Sequence, residues 1–125
     1  MLLDIDLIKA ILLDIEESEH WPDFIAVGPL EGYDNKKSLY HLFLLDEAGL
    51  VKGKDISTLD AGRNYAVERL TWEGHTFLTN AKNPSNWSKL KTALGTIGDV
   101  SFEAAKAGLA GMAHAAVATA IQRLS

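Results

Sequence analysis

The chain lacks cysteine altogether, holds only three prolines in 125 residues, and has few bases in its first quarter. Without cysteine there can be no disulfide framework, no thiol nucleophile and no cysteine-ligated zinc, and the composition suits a reducing, cytoplasmic setting. The three prolines stand apart as local breaks, so no proline-rich linker divides the chain. Long apolar runs are missing too. The least charged stretch, residues 107–121, is rich in alanine and glycine and falls short of the ~20 residues that cross a bilayer. The start, Met1-Leu2-Leu3-Asp4-Ile5-Asp6, carries two acids where a secretory signal carries bases. The reading is therefore cytoplasmic, with no membrane partner. Bases are scarcest early. Residues 1–34 hold nine acids against Lys9 alone, whereas residues 35–125 hold eleven bases against eight acids, beginning with Lys36 and Lys37. A net charge of −5 argues against a surface that binds nucleic acid all round, but leaves room for one basic face.

What is present is an ordinary globular composition, 47% apolar and 23% charged, long enough to bury a core without metal or disulfide. Asp4 can cap a first helix that aligns Ile5, Ile8, Ile11, Leu12 and Ile15. Asp14, Glu16, Glu17 and Glu19 crowd its end, where the macrodipole disfavours acids, and Pro22 confirms the stop. Phe24-Ile25-Ala26-Val27 reads as a short strand closed by Gly28-Pro29 and Glu31-Gly32. Asp34 caps a second helix running to Ala48, with Leu39, Leu42, Phe43 and Leu45 as its buried stripe and Lys36, Lys37 and Tyr40 outside. Gly49 suits a left-handed residue just past the helix end. Leu50-Val51 enters a strand, residues 58–64 form a hairpin tip around Gly62, and Tyr65 to Leu70 return. Thr71 caps a third helix carrying Phe77 and Leu78 inward and ending near Asn83-Pro84. A fourth helix starts at Ser85 or Asn86 with Trp87, Leu90 and Leu94 on one face, and Ser101 caps a last one rich in small residues.

Two strings carry a resemblance. His41-Leu42-Phe43-Leu44-Leu45-Asp46-Glu47-Ala48-Gly49-Leu50-Val51 resembles the recognition-helix end of ArsR- and MarR-type winged-helix regulators. Leu70-Thr71-Trp72-Glu73-Gly74-His75-Thr76-Phe77-Leu78 is similar to the segment where such domains leave the wing. With Tyr40 to Leu45 and the Asp-containing first helix, the chain resembles more closely a family of short bacterial and prophage proteins classed as a domain of unknown function. The resemblance implies a winged helix-turn-helix at residues 1–83: an α+β, mostly helical fold with a small antiparallel sheet as wing and a helical extension at 84–125. Between Pro22 and Tyr33 the residues signal strand and turn, not the positioning helix that precedes a recognition helix. Either that helix is very short or residues 34–48 work alone.

The resemblance implies a DNA-binding transcriptional regulator of phage or prophage type, acting as a homodimer. Contacts to duplex DNA would come from Asn35, Lys36, Lys37, Ser38 and Tyr40 on the second helix, since Asn and Lys carry donors that suit base edges. Lys52, Lys54 and Arg63 on the hairpin would meet phosphates. Ala104, Gly108, Gly111 and Ala115 would let a second copy approach closely as a dimer seam. The alternative keeps the frame and replaces DNA with a host or phage protein. Nothing points to an enzyme. Asp4 with Asp6 and Asp46 with Glu47 are spaced so that helical side chains diverge. Ser38 and His41 can meet one turn apart but lack an orienting acid. His41, beside Leu42, reads as a structural histidine bonded to backbone. His20, His75 and His114 have no metal-ligand spacing, and no glycine loop cradles phosphate, so neither cofactor nor metal is expected.

Overall fold

A computed structural model of the chain describes residues 3–18, 20–27 and 30–97, with residues 93–97 described through their backbone alone. The order is α1 (Ile5–Glu17), α2 (Asn35–Glu47), β1 (Val51–Asp55), β2 (Tyr65–Leu70), α3 (Trp72–Ala81) and α4 (Pro84–Ile97). The fold is α+β, mostly helical, with a small antiparallel two-stranded sheet. The chain divides into two compact units after His75, inside α3. The seam residues Ala104, Gly108, Gly111 and Ala115 lie outside the described residues.

In the first unit α1 packs against α2 and β2, and α2 against both strands. The Asp4 carboxylate accepts from the Asp6 and Leu7 amides and so starts α1. That helix buries Ile8, Ile11, Leu12 and Ile15 of the expected stripe, with Leu7 buried in addition and Ile5 only half-buried. Asp34 begins α2 by accepting from the Lys36 amide. At the other end the Leu50 N–H reaches the Leu45 carbonyl and the Gly49 N–H that of Asp46, with Gly49 at φ 76°. This is the Schellman arrangement, which glycine adopts at little cost.

The hairpin pairs Val51 with Leu70 and Asp55 with Tyr65, and is interrupted by a bulge between Lys52 and Gly53. Thr58 and Gly62 bridge at its tip. The strand expected over residues 24–27 contracts to one residue: Ile25 exchanges both backbone bonds with Val67, on the side of β2 away from β1. Two exposed aromatics, Trp21 and Phe24, lie just before it, so no longer apolar alternation extends the pairing. No helix occupies the described residues between α1 and α2.

The passage from β2 into α3 explains the Leu-Thr-x-x-Gly string. The Thr71 hydroxyl donates to the Gly49 carbonyl at 2.6 Å and accepts from the Gly74 N–H at 3.0 Å. It both caps α3 and ties it to the end of α2. Gly74 is needed for space, since a Cβ there would lie 2.0 Å from the Leu50 carbonyl oxygen. In the second unit Phe77, Leu78, Ala81, Trp87 and Leu90 are buried. The start of α4 falls one or two residues ahead of the expected Ser85 or Asn86, with the Asn83 carboxamide oxygen accepting from Asn86 and Pro84 at the first helical position.

Candidate functional site

The residues expected to face outward from α2 divide according to how that helix is held. His41 is fully buried, and both ring nitrogens meet backbone. Its Nε2 lies 2.9 Å from the Asp4 N–H, which can only donate, so Nε2 accepts. Its Nδ1 therefore carries the proton and donates to the Lys37 carbonyl at 2.8 Å. Lys37 completes the junction with its ammonium 2.9 Å from Asp4 Oδ2. Burial disfavours the imidazolium and, with the Lys37 charge, holds His41 below its ordinary value against the opposing pull of the Lys37 carbonyl and Asp4. Burial pushes the Asp4 carboxyl up, but Lys37 and the Leu7 and Asp6 amides outweigh it and leave the group below the usual carboxylate range. His41 is thus the backbone-bonded structural histidine that its position beside Leu42 suggested.

This junction rotates α2. Its buried stripe is Ser38, His41, Leu42 and Leu45, at i, i+3, i+4 and i+7, in place of one running through Leu39 and Phe43. Two of the expected DNA contacts are lost as a result. Ser38 is only 6% exposed and faces inward, where it cannot touch a base edge. Lys37 is half-buried and engaged by Asp4, so it is no free cation. Asn35, Lys36 and Tyr40 remain exposed on α2, as do Lys52 and Lys54 on β1 and Arg63 before β2.

Acids interleave with those bases. Asp34 caps the turn that carries Lys36, and Asp46 and Glu47 are exposed at the far end of α2. Asp55 follows Lys54 directly. The Ser57 hydroxyl and amide hold its carboxyl below the usual range, and the Arg63 charge adds to the effect. The Tyr65 hydroxyl is buried beside Asp46 without a hydrogen bond of ordinary geometry; burial first, and then the Asp46 charge, push its phenol up.

Turning Leu39 and Phe43 out of the core opens a groove of about 430 Å³ between α2 and the hairpin. Leu39, Tyr40 and Phe43 line it, with Lys36, Arg63 and Glu47 at its edges. Phe43 is held edge-on by the Tyr65 ring at 5.4 Å, and the Arg63 guanidinium sits 5.9 Å from the Phe43 centroid. Sequence reasoning missed this groove because it assigned Leu39 and Phe43 to the core. One signal was available: Leu39, Tyr40, Phe43 and Leu44 add more apolar arc than one buried face can hold. Among the described residues no group of three or more His, Asp or Glu side chains is placed to hold a metal ion. No helix there is long and apolar enough to cross a membrane.

Residues 2–99 match the domain family described as hypothetical protein (DUF2513). An uncharacterized protein of Haemophilus influenzae (strain ATCC 51907 / DSM 11121 / KW20 / Rd) is 33% identical over 102 residues, covering 81% of this chain and 86% of that protein. No solved structure matches the chain.

Proposed function

The chain belongs to the DUF2513 family, and from that premise we propose that it is a non-enzymatic protein-interaction module on a winged-helix frame. Its α2–hairpin groove would seat an acidic, amphipathic segment of a protein partner. The observation that carries this reading is the groove itself: an apolar floor of Leu39, Tyr40 and Phe43 with Lys36 and Arg63 above it and Glu47 as the one acid on its rim. An apolar strip flanked by exposed cations complements a helix that presents leucine or phenylalanine on one face and carboxylates beside it. The order of helix, hairpin and helix supports the winged-helix frame.

Duplex DNA is the weaker partner for this surface. Affinity for the phosphate backbone grows with the number of phosphates neutralised. Here Lys37 is engaged by Asp4, and Asp34, Asp46, Glu47 and Asp55 interleave with the cations that remain. The described residues between α1 and α2 also supply no further helix to position α2.

The test titrates the isotope-labelled chain with two probes: a short acidic amphipathic helical peptide, and a random-sequence DNA duplex across a salt series. The expected result is saturable peptide binding that perturbs Leu39, Tyr40 and Phe43, is lost in a Lys36→Glu/Arg63→Glu double variant, and is absent with a lysine-substituted peptide. Duplex binding with a salt slope flattened by Lys36→Ala/Lys52→Ala/Lys54→Ala, without peptide binding, overturns the proposal and returns the surface to a DNA-binding regulator. Failure of both probes to bind overturns it as well.

A further inference from the structure

A second, smaller cavity of about 190 Å³ lies beside the first half of α2, between the segment around Val27 and the start of β2. Leu39, Leu42 and Val27 give it apolar walls, while Asn35, Ser38 and Asn64 bring polar groups. The Ser38 hydroxyl is the informative atom. It is buried and has no hydrogen-bond partner, although a helical serine can ordinarily bond the carbonyl one turn back. A buried hydroxyl left unmatched costs free energy and calls for an explanation.

The neighbouring amides point to one kind of occupant. The Asn64 carboxamide oxygen accepts from the Tyr65 N–H at 2.9 Å, which fixes its orientation and leaves the NH2 as a donor. The Asn64 NH2, which can only donate, and the Ser38 hydroxyl, which can donate or accept, line the same small space, so an occupant that brings a carbonyl acceptor can satisfy both. No charged side chain lines the cavity, so an ionised occupant would be uncompensated. In size the cavity slightly exceeds the ~150 Å³ that holds one benzene ring.

We infer that this cavity binds a small neutral single-ring compound bearing carbonyl oxygens, of the lactam or imide class, with Ser38 and Asn64 as its donors. The site shares Leu39 with the α2–hairpin groove, but its polar residues Asn35, Ser38 and Asn64 line the smaller cavity and not the groove, so it does not depend on the identity of the protein partner.

The experiment titrates the full chain with uracil and 2-pyridone as probes and benzene as an apolar control of similar size, followed by amide chemical shifts. Uracil or 2-pyridone should give saturable shifts at Val27, Asn35, Ser38 and Asn64, and benzene should bind more weakly. Ser38→Ala removes a hydroxyl that has no partner, so the free protein should unfold at the same temperature or higher while carbonyl probes bind roughly tenfold more weakly. Asn64→Asp keeps the acceptor for Tyr65 and removes the donor, and should weaken binding in the same direction. Three results overturn the inference: no saturable shift with either carbonyl probe, benzene binding as tightly as uracil, or unchanged probe binding in both variants. Any of these leaves water as the cavity's occupant.

Discussion

The junction between α1 and α2 yields a prediction whose sign and size both follow from the bonding of His41. Replacing His41 with alanine leaves the part-buried Asp4 N–H without its acceptor, at about 1–3 kcal/mol. It also removes a fully buried ring, adding about 2 kcal/mol of lost packing. At pH 8 the variant should therefore be about 4 kcal/mol less stable. The gap should then shrink with acid. The folded chain holds His41 below its ordinary value near 6.5, because burial disfavours the imidazolium and the Lys37 charge adds to this, in keeping with an unprotonated Nε2 that accepts from Asp4. Below pH 6.5 the unfolded chain takes up a proton that the folded chain refuses, so wild-type stability falls with pH by up to about 1.4 kcal/mol per unit until the folded value is reached. The alanine variant has no such term. Asp4, also depressed but from 3.8, loses its contribution only as pH drops through and below that value, outside this window. Guanidinium unfolding of both proteins at pH 8, 6.5 and 5, followed by circular dichroism, should show the difference narrowing by up to about 2 kcal/mol. A gap that stays constant or widens as pH falls would refute a neutral, accepting His41.

Two further substitutions probe the end of α2. Gly74→Ala should destabilise by about 2 kcal/mol despite alanine's better helix propensity, because the new methyl would meet the Leu50 carbonyl oxygen and the backbone must shift; thermal unfolding measures it, and a neutral or stabilised variant would show that α3 can move away at no cost. Thr71→Ala removes both the α3 cap and the bond to the Gly49 carbonyl and should cost about 1–2 kcal/mol in the same assay, with Thr71→Ser recovering most of it.

The parts of this fold that local chemistry determines were readable from the residues. Asp4, Asp34 and Thr71 cap the helices they precede, and Gly49 takes the left-handed position that ends α2. The hairpin tip closes between Thr58 and Gly62 as its composition suggests. What was not readable depended on long-range partners. Phe24 to Val27 has the composition of a strand, but only Ile25 finds a neighbour, and that neighbour is Val67. The buried face of α2 was misjudged because hydrophobicity alone favours Leu39 and Phe43 over Ser38 and His41. Asp4 lies 37 residues before His41, and no local pattern announces that their bond will decide which way the helix turns.

That rotation links the structural and functional arguments. A helix oriented by hydrophobicity would bury Leu39 and Phe43 and present Lys36, Lys37 and Ser38 as a polar, basic edge suited to DNA. The His41 bridge and the Lys37–Asp4 pair remove one of these cations from the surface and draw Ser38 inward. The same turn brings Leu39 and Phe43 to the groove and sets Ser38 against the smaller cavity. Fixing this one helix by polar contacts therefore weakens the case for nucleic acid and creates both candidate recognition sites. It follows that His41→Ala, where it still folds, should perturb both sites together, whereas Ser38→Ala should disturb only the smaller one.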